Sequence, residues 1–304
     1  MWLELQIFGF RALWSPYILG LLVLAGLVYY VITGPKRHLF GDVGKPSIKQ
    51  QFLFYGGLAL LYLIKGSPID LMSHIMLGAH MIQMALLYFL VPIMLIRGLP
   101  VWMWRRFIKL PIINPLFRFF TLPLIALALF NGLFPIYHIP VIFDFSKASP
   151  TAHFIITLGL FIFAVFMWWP VVTPVKEMDV LQPLLKIGYL ILSLFLVSIA
   201  CALIIFADEP IYEAFSSNGA WLQSLSICVP IDVLDGISGS LSGPEMFSPM
   251  STIDDQQLGG IVMMTMQQII YTSVISWVFF GWFTRKNMKV DPMPKDLPYH
   301  YGKS

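Results

Sequence analysis

The fold is decided by residues 71–97, which read LMSHIMLGAHMIQMALLYFLVPIMLIR. This stretch is long and apolar enough to cross a bilayer, because about 20 residues rising about 1.5 Å each span the hydrocarbon core. Its first half nevertheless carries two histidines, a glutamine and several methionines. On a helix, Met76, His80 and Met84 would stack along one face, with Gln83 beside them. Polar groups inside a span indicate a functional site.

The donor atoms on this face suit copper. Imidazole is a common copper ligand, and thioether sulfur favours cuprous copper over zinc or magnesium. The pattern therefore predicts a copper site with His80 as a ligand and Met76 and Met84 beside it. The alternative is ordinary packing, since methionine fills gaps between helices and a single histidine in a span is often only hydrogen-bonded to a neighbouring helix. These residues alone leave both interpretations open.

Composition places the chain in a membrane. Of its 304 residues 58% are hydrophobic and 12% charged, and the mean hydropathy is +0.79. A soluble domain of this size does not need so many apolar residues, so the lipid bilayer is the expected surrounding. Two cysteines, Cys201 and Cys228, exclude a disulfide framework and every CxxC metal motif. A net charge of +3 gives no indication of nucleic acid as a partner.

Hydropathy predicts an all-α integral membrane protein, a bundle of seven transmembrane helices. The predicted spans are residues 16–33, 51–64, 71–96, 116–134, 152–172, 187–206 and 258–283. They form one helical domain over residues 16–283. An interfacial segment, residues 1–15, precedes it, and a tail, residues 284–304, follows it.

The basic residues predict the orientation of the bundle. With seven spans, 16 of the 19 lysines and arginines fall on one side and 3 on the other. Because loops rich in lysine and arginine stay in the cytoplasm, we expect the N-terminus outside and the C-terminus inside the cell. The outer loop between spans six and seven, residues 207–257, has eight acidic residues and no basic ones. It is too long for a simple connector, and a lid, a docking surface and a tolerated insertion all remain open.

Four of the six histidines belong to the outer side in this topology. His74 and His80 lie in span three, His138 follows span four, and His153 begins span five. Residues about 80 positions apart are thereby brought to one depth in the bilayer. Packing alone explains such convergence poorly. We therefore add His138 and His153 to the candidate copper ligands.

The start of the seventh span adds further candidates. Gln256, Gly260, Met263 and Gln267 would share one helical face, with Met264 beside it. The pair Gly259-Gly260 would let another helix approach closely. Met263 and Met264 are candidate copper ligands, while His74, Gln83 and Gln256 are candidates to orient the ligands. Asp255 would either cap the start of its own helix or accept a hydrogen bond from a ligand histidine.

Four motifs along the chain resemble the Gram-positive CtaG family of seven-span assembly factors for caa-type cytochrome c oxidase. They are AHMIQMALLYFLVPIMLIRGLP from Ala79, NGLFPIYHIP from Asn131, AHFIITLGLFIFAVFMWWP from Ala152 and DQQLGGIVMM from Asp255. The resemblance covers roughly residues 16–283. His80, His138, His153 and Asp255 match polar positions of the family. In many relatives histidines stand at the positions of Met84 and Thr157, so the ligand set here differs.

The resemblance implies a role in maturing the oxidase in a bacterial plasma membrane, without catalysis by the chain itself. The expected cargo is cuprous copper, Cu⁺, delivered to subunit I or subunit II of the oxidase. A copper donor protein and a second copy of the chain are further partners to consider.

Other functions remain open from the sequence. A metal-ion transporter would need a polar path through the whole bilayer, and the cytoplasmic halves of these spans are poor in polar groups. A membrane scaffold for oxidase subunits would need no metal. An enzyme is not expected, since the chain has no HExxH, no Ser/Lys pair within the spans and no CxxCH. Haem ligation by the histidines is a further alternative.

Overall fold

The computed structural model describes residues 2–41, 43–241, 243–248 and 250–287. Within these ranges the regular structure is helical throughout, which confirms the predicted all-α class. The helices in chain order are α1 (Trp2–Leu5), α2 (Gly9–Leu13), α3 (Pro16–Thr33), α4 (Ile48–Lys65), α5 (Pro68–Ile75), α6 (Leu77–Ala85), α7 (Val91–Gly98), α8 (Val101–Ile108), α9 (Ile113–Phe120), α10 (Pro123–Tyr137), α11 (Pro140–Lys147), α12 (Pro150–Val172), α13 (Pro183–Ile205), α14 (Glu213–Ser216), α15 (Asn218–Leu225), α16 (Ile231–Ile237) and α17 (Thr252–Asn287). A π-helical turn, Leu86–Leu90, joins α6 to α7.

Five helices of the described ranges are long and apolar enough to cross a membrane. The number rises to seven if two bent pairs each count as one span: α4 with α5, bent by 45°, and α9 with α10, bent by 74°. The predicted seven spans correspond to this upper count. Many large apolar side chains, such as Leu24, Leu27 and Phe195, are exposed on the helix surfaces, as lipid contact requires. The orientation across the membrane stays a prediction, and residues 288–304 of the predicted tail lie outside the described residues.

The prediction of one continuous helix over residues 71–96 is wrong. The chain breaks at Met76, whose backbone is extended with φ −131° and ψ 136°. Residues before the break form α5, which belongs to the bent pair with α4, and the span itself runs over Leu77–Gly98. The physical cause is a hydrogen-bond acceptor from elsewhere in the chain, because Asp255 of α17 accepts from the backbone N–H of Leu77 at 2.7 Å. Met76 therefore does not continue the helical face of His80 and Met84.

Proline and serine set several helix starts. α10, α11 and α12 begin at Pro123, Pro140 and Pro150, where the missing N–H costs nothing. The 74° bend directly precedes Pro123, so the chain bends within the span predicted over residues 116–134. α4 begins with a capping box between Ser47 and Gln50.

The two glycines at the start of the last span allow close helix contacts, as predicted. A Cβ on Gly259 would lie 3.2 Å from the Cα of Gly78 in α6. A Cβ on Gly260 would lie 3.3 Å from the carbonyl oxygen of Cys201 in α13. The predicted shared face is also confirmed, because Gln256, Met263 and Gln267 are all buried. Gly259 thus fixes where α17 crosses the segment that carries His80.

The described side chains form two apolar clusters. The inner core lies among the long helices and includes Met84, Trp168, Cys201 and Met263. The outer cluster joins the N-terminal helices, α5 and the loop between α13 and α17. Its buried members are Leu5, Phe8, Ala12, Leu13, Leu71, Ile75, Trp221, Leu225, Val229, Leu234, Leu241 and Phe247. The long acidic loop is therefore folded, and it packs onto the ends of the spans.

We expect replacement of Gly98 by alanine to lower the free energy of unfolding by about 1–2 kcal/mol, because the added methyl group overpacks a helix contact. A Cβ there would lie 2.6 Å from the backbone nitrogen of Phe54 and 2.8 Å from its Cα, and backbone atoms cannot move aside singly. Unfolding of the purified protein in detergent measures the change. Gly188→Ala is the control, since its Cβ meets nothing within 4 Å. Equal stability of the two variants would contradict the predicted clash.

Candidate functional site

The four predicted outer histidines lie around the same few side chains, at the junction of five helices. The rings of His74 in α5 and His153 in α12 are 5.4 Å apart. His80 in α6 and His138 at the end of α10 both face Phe143 of α11, with ring distances of 5.2 and 6.5 Å. We call His74, His80, His138 and His153 the histidine cluster. The structure therefore brings together residues that the sequence separates by up to 79 positions.

His80 is the member with unused hydrogen-bonding capacity. Its side chain is fully buried, and within the described ranges neither ring nitrogen has a hydrogen-bond partner. The ring is enclosed by aromatic side chains, with ring distances of 6.3 Å to Tyr137 and 6.3 Å to Phe215. A buried polar group without a partner is costly, and native proteins keep few of them. A bound ligand that takes the lone pair of one ring nitrogen would remove the part of that cost that belongs to the acceptor nitrogen.

His138 and His153 each have one ring nitrogen engaged. Nδ1 of His138 lies 2.8 Å from the carbonyl oxygen of Phe134. Because a carbonyl only accepts, Nδ1 carries the proton and Nε2 keeps its lone pair. Burial lowers the pKa of His138 to about 4, so the ring is neutral at pH 7. Nδ1 of His153 lies 3.3 Å from Oγ of Ser146, and its buried Nε2 has no described partner. Metal-binding histidines commonly use this arrangement, with one nitrogen oriented and the other free.

Lys147 is the functional candidate that the sequence analysis missed. It is only 1% exposed, and its ammonium group donates to Nδ1 of His74 at 3.1 Å and to the carbonyl oxygen of Ser73 at 3.3 Å. It also lies 5.7 Å from the ring of Phe143 and 5.4 Å from that of Phe215. Burial, followed by repulsion from Lys65, lowers the pKa of Lys147 to about 7. The available signal was that Lys147 is one of only three basic residues on the side predicted to be poor in them.

The cluster is not arranged as a closed metal site. Across the part of the chain that the structure describes, no three His, Cys, Asp or Glu side chains form a group that could hold a metal ion. Of the methionine candidates, Met84 and Met263 are buried in the inner core and Met264 packs against it, whereas Met76 packs against the outer cluster. Thr157 donates its hydroxyl to the carbonyl oxygen of His153. The copper ligand set stays a prediction.

A comparison with family models decides the relationship. The model described as cytochrome c oxidase caa3 assembly factor (Caa3_CtaG) matches residues 27–285. The chain belongs to the Caa3_CtaG family. This confirms the resemblance seen in the four sequence motifs and makes the chain a member of a family of oxidase assembly factors, whose description suggests a non-catalytic role. Comparisons with curated proteins and with solved structures give no match.

In this Caa3_CtaG chain, Asp255 has a different role from the two predicted for it. Its carboxylate accepts from the N–H groups of Leu77 at 2.7 Å and Gly78 at 3.2 Å, so it caps α6 instead of its own helix. The start of α17 is capped instead by Ser251, whose hydroxyl oxygen accepts from the N–H of Asp254 at 3.2 Å. Both carboxylate oxygens of Asp255 accept from backbone N–H groups, and neither accepts from a histidine ring of the described residues. Asp255 thus positions His80 only through the helix that carries it.

The two glutamines predicted to orient ligands hold the surrounding segments. Gln83 donates to Oδ1 of Asp70 at 2.8 Å, and Asp70 pairs with Lys65 at 2.7 Å. Gln256 accepts from the N–H of Ile211 at 2.8 Å and donates to the carbonyl oxygen of Glu209 at 3.4 Å. These contacts fix the helix ends around the cluster.

Residues 209–216 form a strap over the histidine cluster, and each of its fixing contacts comes from an element of the Caa3_CtaG bundle. The carboxylate of Asp144 accepts from the N–H groups of Glu213 at 3.1 Å and Ala214 at 3.0 Å. The hydroxyl of Tyr212 donates to the carbonyl oxygen of His138 at 2.8 Å. Phe215, at the end of the strap, is 3% exposed and packs toward His80. The strap therefore covers the cluster from the side of the long loop.

Proposed function

We propose that this chain helps to assemble a caa3-type cytochrome c oxidase by carrying cuprous copper in the histidine cluster and passing it to a copper centre of the oxidase. The observation that carries the proposal is His80, whose two ring nitrogens are buried without a described partner. His138 and His153 each offer a further Nε2 nearby. Family membership supplies the link to the oxidase.

The chemistry of the cluster fits a cuprous ion as cargo. Neutral imidazoles are good copper ligands, and the rings of Phe143, Tyr137 and Phe215 provide an apolar wall. Lys147 places a positive charge beside His74. Because Coulomb repulsion grows with the charge of the ion, this ammonium disfavours Cu²⁺ and Zn²⁺ more than Cu⁺. A cargo must also be released, so an incomplete ligand set is suited to transfer.

The proposed place of transfer is the outer face of the bacterial plasma membrane. The distribution of lysine and arginine supports this orientation, since the predicted outer side holds only Arg11, Lys65 and Lys147. Of these three, Lys147 is buried and Lys65 is paired with Asp70. The proposed recipients are oxidase subunits I or II.

Copper binding by the purified full-length protein tests the proposal. We expect His80→Phe to weaken Cu⁺ binding at least about tenfold, the effect of losing ~1.4 kcal/mol from one ligand. Phenylalanine preserves the ring volume but has no nitrogen. His38→Phe is the matched control, because His38 is bonded to the carbonyl oxygen of Pro35 in a segment remote from the cluster. Competition with a coloured cuprous chelator measures the affinity.

A second readout links copper to assembly. Cells that carry the His80→Phe variant are expected to make the oxidase subunits but to lack oxidase activity, while the His38→Phe variant restores it. Equal copper affinity in both variants would contradict the site. Copper uptake into proteoliposomes by the wild-type protein would favour a transporter instead.

A further inference from the structure

A small cavity lies on the outer side of the helix break. Its volume is about 20 Å³, enough for one water-sized particle. Two methionines line it, Met76 at the break and Met250 before α17, together with the carboxylate residues Glu245 and Asp255. Thioether sulfur is a soft ligand that selects monovalent copper, and the carboxylates add the negative charge that attracts a cation. The cavity is thus lined by donors of the class that a cuprous ion requires.

Phe215 lies next to both this cavity and His80. Its side chain lines the cavity, and its ring centroid is also 6.3 Å from that of His80 and 5.8 Å from that of Phe143. His80 is fully buried, so an ion that reaches it has to move side chains aside, and Phe215 is the ring that borders both places. One aromatic residue therefore borders both the cavity and an imidazole without a described partner.

The strap that carries Phe215 is held by contacts that can open without unfolding a span. Four hydrogen bonds of 2.8–3.1 Å fix it: Asp144 and Gln256 accept three from its backbone, and the hydroxyl of its own Tyr212 donates the fourth. α14 itself is a single turn, Glu213–Ser216. Short helices of this kind are marginal in isolation, so local opening is cheaper than global unfolding.

We propose that Met76 and Met250 form an outer receiving site for a cuprous ion and that Phe215 is the gate between this site and His80. The inference rests on the proposed function, since it concerns how the cargo reaches the histidine cluster. The ion binds first to the two thioethers and then moves inward when Phe215 turns aside. No electron or proton is transferred in this step, because the ion stays cuprous and thioether sulfur carries no proton.

The rate of copper loading tests the receiving site. Full-length protein in detergent is mixed with Cu⁺ held by a coloured chelator, and the loss of the chelate colour is followed in time. We expect Met76→Leu/Met250→Leu to take up Cu⁺ about tenfold more slowly than wild type, as for a barrier raised by ~1.4 kcal/mol. Phe215→Ala should load faster than wild type. Met246→Leu is the control, since this exposed methionine of the same loop does not line the cavity.

The outcomes separate this inference from the proposed function. If the His80→Phe variant still binds one Cu⁺ weakly, and the double methionine substitution in that background abolishes it, the receiving site is supported. Loading of the double methionine variant at the wild-type rate would overturn the receiving site while leaving His80 as the cargo site. If the His80→Phe variant binds Cu⁺ with wild-type affinity, the proposed function is overturned. If the methionine substitutions then abolish this binding, the methionines are a copper site that does not depend on His80.

Discussion

Replacement of Lys147 by methionine is expected to stabilise the protein below pH 7. The pKa of Lys147 is lowered from 10.5 to about 7, which means that keeping the buried ammonium group charged costs ~5 kcal/mol of folding free energy. Methionine keeps an unbranched apolar stem of similar length and carries no charge. Because the change also removes the donor to His74 and Ser73, we expect a net gain of about 2–4 kcal/mol in the free energy of unfolding.

The pH dependence gives this prediction its sign. Between pH 7 and 10.5 the unfolded chain keeps a proton on Lys147 that the folded chain has released, so the stability of the wild type rises with pH in this range. The methionine variant lacks this rise, and its advantage is largest below pH 7. Unfolding midpoints in detergent from pH 6 to pH 10 measure both effects. The exposed Lys49→Met is the control, expected within about 0.5 kcal/mol of wild type. Parallel pH profiles for wild type and Lys147→Met would rule out a buried ammonium group.

Removal of the Asp255 carboxylate is expected to cost about 3 kcal/mol of stability, because two buried N–H groups lose a charged acceptor. These are the N–H groups of Leu77 and Gly78, which donate to the Asp255 carboxylate at 2.7 and 3.2 Å. Asp255→Ala should also lower copper affinity, since His80 stands in the first turn of α6, where its N–H bonds to the carbonyl oxygen of Met76. Asp255→Asn keeps one carbonyl acceptor, so its stability should lie between those of the wild type and Asp255→Ala.

The neighbouring residue provides a matched control for this cap. Asp254 is exposed and hydrogen bonds to Ser251 at the start of its own helix, so Asp254→Ala should cost about 1 kcal/mol. Unfolding in detergent compares the three variants. Similar losses for Asp254→Ala and Asp255→Ala would show that Asp255 contributes no more than an exposed helix cap.

The sequence predicts those features that depend on local pattern. Hydropathy gives the long helices, and helical spacing gives the buried face of Gln256, Met263 and Gln267. The convergence of the histidines is also predictable, because their positions relative to the predicted spans place them at one depth in the bilayer.

The features that were missed depend on residues far apart in the chain. LGAH after Met76 is compatible with an uninterrupted helix, and the break depends on Asp255, 178 positions from Leu77. Lysine is almost never fully buried, so no pattern of single residues would place Lys147 inside. The strap depends on four hydrogen bonds to three residues, Asp144, His138 and Gln256, and their spacing in the sequence follows no recognisable pattern. Tertiary contacts decide these positions, and local propensity does not.

The cap that Asp255 provides for α6 has a consequence for biosynthesis. A ribosome makes Leu77 and Gly78 long before it reaches codon 255, so the nascent chain holds the start of α6 without its acceptor until the last span is inserted. The turn that positions His80 is therefore completed only when translation of the membrane domain is nearly finished. A truncated polypeptide that lacks α17 would leave those amides without their acceptor, and quality-control proteases would encounter an incompletely capped helix.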